Sequence, residues 1–182
     1  MANLKLKNPS GGSLALVSAD GASDLTVTFP AVTGTAMVSG NMPAFSAKPS
    51  TNQTISHNTL TKVTLDTEEF DTNNNFASST FTPTVAGYYN VIGQVRIDFV
   101  ATRQITFAGI IYKNGSNYFN PEHSFQVGSG GSFTSTANAI VPMNGSTDTI
   151  ELWVYFYDYT SSASYSIIAG NTRLQGFMVR TL

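Results

Sequence analysis

The sequence predicts an all-β chain, and three observations predict it. No window of about ten residues shows a convincing helical period. Short apolar segments alternate with turn signals about every 8–12 residues, the rhythm of a β-sandwich. One stretch, Phe81 to Phe99 (FTPTVAGYYNVIGQVRIDF), carries a long two-residue alternation behind its opening Thr-Pro and Ala-Gly punctuation. There Tyr89, Val91, Gly93, Val95, Ile97 and Phe99 point to one side of a strand, and Tyr88, Asn90, Ile92, Gln94, Arg96 and Asp98 to the other. The first set belongs in a core. The second mixes Tyr88 and Ile92 with polar groups, which suits a strand that also packs against something outside its own core, such as another copy of the chain.

In chain order, residues 1–12 alternate weakly through Leu4 and Leu6 and end in Asn-Pro-Ser-Gly-Gly, a loop signal. Such a start reads as an arm that orders against a partner. Residues 13–40 form a unit of short strands. SLALVSAD is the first, Asp20-Gly21 is a hairpin-turn candidate, Leu25, Val27 and Phe29 alternate up to Pro30, and Gly34 to Val38 is the third. So few apolar residues are marginal alone, which favours intertwining with sister chains. Ser39 to Pro43 is the expected linker, so the chain divides into an N-terminal segment, 1–40, and a larger domain, 41–182. In the larger domain, strands are expected at 43–47, at two short places within 52–65, at 81–99, 105–112, 118–127 (interrupted by Pro121), 133–143, 149–159, 167–168 and 174–182. Asp66 to Phe76 reads as an acidic, Asn-rich loop, and Gly128 to Gly131 as a loop tip.

Composition narrows the function. Only 11% of residues are charged, against roughly 25% in an average soluble domain. Thr, Ser, Asn and Gly fill the gap, a style frequent in secreted and virion proteins. The net charge is −2 and the nine Lys and Arg residues are scattered, so phosphate neutralisation on nucleic acid is not expected. There is no cysteine, which removes disulfides, thiol catalysis and cysteine metal sites. The N-terminus has lysines but no following apolar region, so it is not read as a signal peptide. No run approaches the length of a membrane span.

Candidate chemistry is sparse. His57 and His123 are the only histidines. Glu122 and His123 are adjacent, and neighbours on a strand point to opposite faces, which argues against shared metal ligation. Asp66, Glu68, Glu69 and Asp71 form the one acidic cluster, open to two readings: a solvated loop, or a site for calcium or a partner. No cofactor is otherwise expected. In the aromatic run Trp153 to Tyr159, Ile150, Leu152, Val154 and Phe156 face a core, while Trp153, Tyr155 and Tyr157 face away from it with Glu151. That stripe suits recognition of a sugar or a protein, or a surface covered by a neighbouring subunit or the N-terminal arm. Asn52, Asn114 and Asn144 fit glycosylation sequons but read as turn residues. No phosphate loop, nucleophile elbow or zinc-protease motif occurs, so an enzyme is not expected.

Several motifs carry a family resemblance. Phe81, five residues, Gly87, one residue, Tyr89, one residue, Val91 resembles the signature of complement-1q-like heads, the tumour-necrosis-factor-type jelly rolls, with Asp71 and Phe76 where the upstream Asn/Asp and aromatic belong. Tyr112-Lys113-Asn114-Gly115 resembles the family's hairpin turn, Asp148 to Val154 its Gly-Asp-x-Val-x-Leu strand, and Leu174 to Met178 its closing strand. The resemblance implies a jelly-roll head and a homotrimer around one sheet of each sandwich, with inner strands at 43–47, 88–98, 133–142 and 174–181 and contacts from Tyr88, Ile92 and Phe177. The GGS…LTVTFP…GTAMV pattern of residues 11–38 resembles segments near the N-termini of phage tail-fibre proteins. Together these imply a virion protein: a trimeric fibre, spike or capsid decoration, held to other virion proteins through residues 1–40, with a head that meets a host-surface glycan or protein. A bacterial surface or spore module with a complement-like head is the alternative, which a neighbouring collagen-like tract would mark.

Overall fold

The computed structural model describes residues 4–7, 9–16 and 42–182. The chain divides into two compact units, Met1–Gly34 and Thr35–Leu182. In the first, β1 (Leu4–Lys7) pairs antiparallel with β2 (Ser13–Leu16), Leu4 opposite Leu16. The expected arm therefore folds back on itself here, and the Pro-Ser-Gly-Gly part of the loop signal lies in its turn, where Gly11 takes a φ of +87°. The Asp20-Gly21 turn and the strands expected at 25–29 and 34–38 lie outside the described residues.

Apart from one 3-10 turn, Ala169–Asn171, all regular structure among the described residues is β. No helix among them is long and apolar enough to cross a membrane. The larger unit is two antiparallel sheets packed face to face. One sheet holds β3 (Ala44–Lys48), β6 (Thr67–Asp71), β9 (Gly87–Asp98), β13 (Ser132–Met143) and β16 (Arg173–Thr181), extended at one end by β4 (Gln53–Ile55) and β15 (Tyr165–Ile167). Its main order is β6-β3-β16-β9, with β13 on the far side of β9. The four strands expected to share a sheet thus lie side by side. The other sheet holds β5 (Thr61–Lys62), β7 (Phe76–Ala77), β8 (Thr80–Phe81), β10 (Arg103–Lys113), β11 (Ser116–Phe119), β12 (His123–Val127) and β14 (Ile150–Asp158), with β10 and β14 central.

The alternation of β9 does what the sequence requires. Tyr89, Val91, Val95 and Ile97 are fully buried, and burying each such side chain contributes roughly 1.5–3 kcal/mol. From the other layer Ile105, Phe107, Ile111, Leu152, Val154 and Phe156 meet them. At one end Phe45 stacks on Phe81 (4.0 Å between centroids) and Phe76 (5.5 Å), and Phe81 meets Tyr89 edge-on. The Tyr89 hydroxyl donates to the Val85 carbonyl (2.7 Å), and burial pushes its pKa up to about 12. Gly176 is required by close packing: a Cβ there would lie 2.8 Å from the Asn90 carbonyl oxygen and 3.0 Å from the Phe45 ring. The layers are also joined by a polar bond, since the Gly109 N–H of β10 donates to the buried Ser135 hydroxyl of β13 at 2.9 Å.

Two expectations need correction. Phe81 to Phe99 is not one strand. Phe81 pairs with Ile150 in the opposite sheet, and the chain crosses between layers through residues 82–86 before β9 begins. The Thr-Pro and Ala-Gly pairs mark that crossing. Residues 66–76 are not all loop either, because Thr67–Asp71 is an edge strand paired with β3. Its charges hid it, yet charged side chains are what a solvent-facing edge tolerates. The short interval between Phe76 and Phe81 is closed by Ser78 and Ser79, whose φ values of +51° and +59° give the mirror-image two-residue turn that suits the twist of a hairpin.

Candidate functional site

Each sheet of the larger unit turns one face outward, and the two faces differ in chemistry. On the β9 sheet, register sets Phe177 between Asn90 and Ala44, and Ile92 between Gln175 and Asn138. Phe177 is 51% exposed, and Phe70 (52%), Ile140 (52%) and Val179 (46%) share the face. Tyr88 and Ile92 are half-buried beside them. Two shallow apolar hollows result. One, of about 270 Å³, is lined by Phe70, Ile92 and Phe177. The other, of about 340 Å³, is lined by Tyr88, Ile140, Val179 and Arg180, whose guanidinium lies 5.3 Å from the Tyr88 ring centre. Tyr88, Ile92 and Phe177 therefore do lie on one face. Phe70, Ile140 and Val179 were missed: Ile140 sits in a strand of small polar residues, and Phe70 in the segment read as loop.

The far end of that face is polar. Arg96 pairs with Asp98 at 2.9 Å. Glu69 accepts from the Ser46 hydroxyl (2.7 Å) and from Lys48 (3.1 Å), with Arg173 at 3.6 Å. The Ser46 hydrogen bond, then Lys48, hold its carboxyl below the usual range. The other acidic candidates have separate partners. Asp66 accepts from the Ser50 hydroxyl and backbone N–H, which lower its pKa. Asp71 accepts from the backbone of Asn73 and Phe76, and Glu68 points to solvent. The four carboxylates do not converge on a shared centre, and among the described residues no group of three acidic, His or Cys side chains is placed to hold a metal.

The outward face of the β10–β14 sheet is a groove. Thr106 and Ile110 form its floor; both are buried although neither belongs to the core cluster. Tyr155 and Tyr157 stand on β14 opposite Ala108 and Thr106, with Tyr159 beyond them. The far wall is Asn117, Asn120 and Glu122, from β11 and the link that follows it, and the hollow measures about 500 Å³. The Tyr155 hydroxyl donates to Asn58 Oδ1 at 2.8 Å. Burial first, then the negative charge of Glu122, raises the Tyr155 pKa. Tyr157 packs edge-on against Tyr159 at 4.8 Å and lies 4.6 Å from the His57 ring.

Trp153 shares this stripe but does not line the groove. Its indole N–H donates to Glu151 (2.9 Å), its ring stacks on Tyr112 (5.0 Å), and Glu151 is bound by Lys62 at 2.7 Å. Burial works to raise the Glu151 pKa, but Lys62 and the Trp153 N–H outweigh it and lower the value. His57 Nε2 lies 3.1 Å from the Asp158 carbonyl, and His123 meets Phe133 edge-on.

No protein-family model matches this sequence, and no curated protein matches it. Solved structures do. Murine APRIL superposes with a TM-score of 0.53 at 12% identity, over 76% of this chain and 99% of APRIL. Eiger TNF from S. frugiperda gives 0.51 at 11%, over 78% and 93%. The fold is a complement-1q/TNF-type jelly roll. The globular domain of zebrafish complement 1qA also matches, at 16% identity over 77% of this chain and 99% of that one, with a TM-score of 0.46. In the jelly roll, the sheet with the exposed Phe177 is the one built around β9 and β16, and the tyrosine groove lies on the opposite layer.

Proposed function

We propose that the chain is a bacteriophage structural protein, a trimeric fibre, spike or capsid decoration. Residues 1–40 attach it to other virion proteins, and the jelly roll faces outward toward a host-surface glycan or protein. The observation that carries the trimer is the exposed face of the β9 sheet, where Phe70, Ile140, Phe177 and Val179 each leave about half their surface in water. Such a contiguous apolar patch is a mark of an interaction surface. Arg180 is the one charge in its lining and lies over the Tyr88 ring, and a closed ring of three copies covers the patch in every subunit. The virion assignment is supported by the fibre-like pattern of residues 11–38. A binding or structural module, not an enzyme, is supported by the separate settings of His57 and His123, neither of which has a carboxylate partner among the described residues.

Sedimentation of the purified chain tests the trimer: three-chain particles at micromolar concentration are expected, and a monomer there overturns it. Deleting residues 1–40 tests the anchor. The truncated head should fold and fail to enter particles, and its incorporation would refute the assignment.

A further inference from the structure

The groove on the β10–β14 sheet has two kinds of wall. Its aromatic faces are held in place: Tyr155 by Asn58, Tyr157 by contact with Tyr159 and His57, and the Tyr159 hydroxyl by Thr106 at 3.2 Å. The other polar groups of its lining are left for a ligand. Among the described residues, no hydrogen-bond partner is found for the side-chain amides of Asn117 and Asn120, the carboxylate of Glu122, or the hydroxyls of Tyr112 and Tyr157. The rings need little ordering on binding, while the exposed side chains of Asn117, Asn120 and Glu122 are left to a ligand to engage.

The ligand class follows from what would satisfy these groups together. A purely apolar molecule would strip water from two amides and a carboxylate and return nothing. An anion meets no Lys or Arg in the lining and faces Glu122. A flat protein surface cannot fill a hollow of about 500 Å³, which is in the size range of small-ligand sites. A sugar ring has both requirements: a C–H face that stacks on tyrosine and a rim of hydroxyls that donate to carboxylate and amide oxygens and accept from amide N–H groups. We propose that this groove binds a neutral oligosaccharide, with Tyr155 and Tyr157 as stacking platforms and Asn117, Asn120 and Glu122 reading hydroxyls. The inference deepens the reading of the head as an outward-facing attachment module.

The chain provides its own reporter. Its one tryptophan, Trp153, stacks on Tyr112 at the groove wall, so filling the groove should shift Trp153 emission. The full chain is titrated with neutral gluco-, galacto-, manno- and N-acetylglucosamine oligosaccharides, and with sialylated and sulfated ones. The expected result is a saturable shift with at least one neutral oligosaccharide. Asn120→Ala and Glu122→Gln are each expected to weaken it by about tenfold, the loss of one hydrogen bond to an organised site. Both side chains are exposed, so both variants should fold, and an unchanged melting temperature checks this. Tyr157→Ala should abolish the shift. The proposal is overturned if no neutral sugar binds at millimolar concentration, if only anionic sugars bind, if binding survives all three variants, or if the groove binds a protein and no sugar. Sedimentation of the same samples separates the two readings. A trimer that binds no sugar removes the groove site alone, while a monomer that binds sugar removes the trimer alone.

Discussion

The two broad faces of the sandwich arise from the same device, a strand whose inward residues are apolar and whose outward residues are free to vary. On one half of β9 and β16 those outward residues are Tyr88, Ile92 and Phe177 around Asn90, large and mostly apolar, while Gln94, Arg96 and Asp98 make the other half of β9 polar. On β14 they are Glu151, Trp153, Tyr155 and Tyr157, mostly large and aromatic with polar tips, and Tyr155 and Tyr157 face amides and a carboxylate across the groove. Size is matched, and the number of unpaired polar groups differs. An apolar surface is satisfied by any complementary apolar surface, including its own copy. A surface bearing unpaired donors and acceptors is satisfied only by a ligand that answers them.

That contrast breaks most visibly with Phe177→Asp. The side chain is half exposed in the single subunit, so the fold should survive. In a trimer it would place an unpartnered carboxylate in each interface, at roughly 3–5 kcal/mol, and sedimentation should show association weakened by about 100-fold or more. A trimer that persists at micromolar concentration would show that this face is not the interface. A charge at Tyr155 should leave the trimer intact.

Next in size is the bond that ties the layers together. Ser135→Ala leaves the Gly109 N–H without its acceptor in a fully buried setting. A loss of about 1–3 kcal/mol is expected, read as a lower melting temperature with oligomeric state unchanged.

A smaller effect should appear in acid, and on the groove layer. The Asp158 side chain is fully buried and lies 3.3 Å from Arg103. Burial works to raise its pKa, but hydrogen bonds from Thr160 and the Arg103 charge outweigh it and hold the carboxyl below the usual aspartate value. A pKa depressed by folding contributes stability that is present above the ordinary value near 3.8 and is lost as pH falls through the folded value. Melting followed from pH 5 to pH 2 should show this loss, and Asp158→Asn should flatten that limb. The smallest change is expected from Arg96→Ala at the polar end of the β9 face. Its pair with Asp98 is exposed and contributes about 0.5 kcal/mol or less. A larger loss of trimer in that variant would extend the interface into the polar half.

Legibility followed strength of pattern. β9 and β14 are readable because strict alternation continues for many residues, and the family resemblance groups the four neighbouring strands of the β9 sheet. β6 was not, since an edge strand needs no buried face and TEEFD shows none. Tyr155 and Tyr157 were visible as a stripe, and so were Tyr88, Ile92 and Phe177. The opposite groove wall was not. Asn117, Asn120 and Glu122 have no pattern of their own and reach the tyrosines only because β10 pairs with β14 on one side and with β11 and β12 on the other. Trp153 was half read, because its outward direction is evident but the hydrogen bond that ties its indole to Glu151 is not.

β3 and β16 lie side by side, the backbone N–H of Met178 donating to the carbonyl of Pro43 at 2.9 Å. The polypeptide therefore enters and leaves the sandwich at one pole, while the Gly128–Gly131 turn sits at the other, where Ser132 opposes Asp98. A domain wired this way behaves as a plug-in cassette. A short peptide joining residues 42 and 182, with new ends opened at Gly130, should give a circular permutant that keeps both outward faces, and foreign cargo spliced at that turn would be displayed at the pole opposite residues 42 and 182.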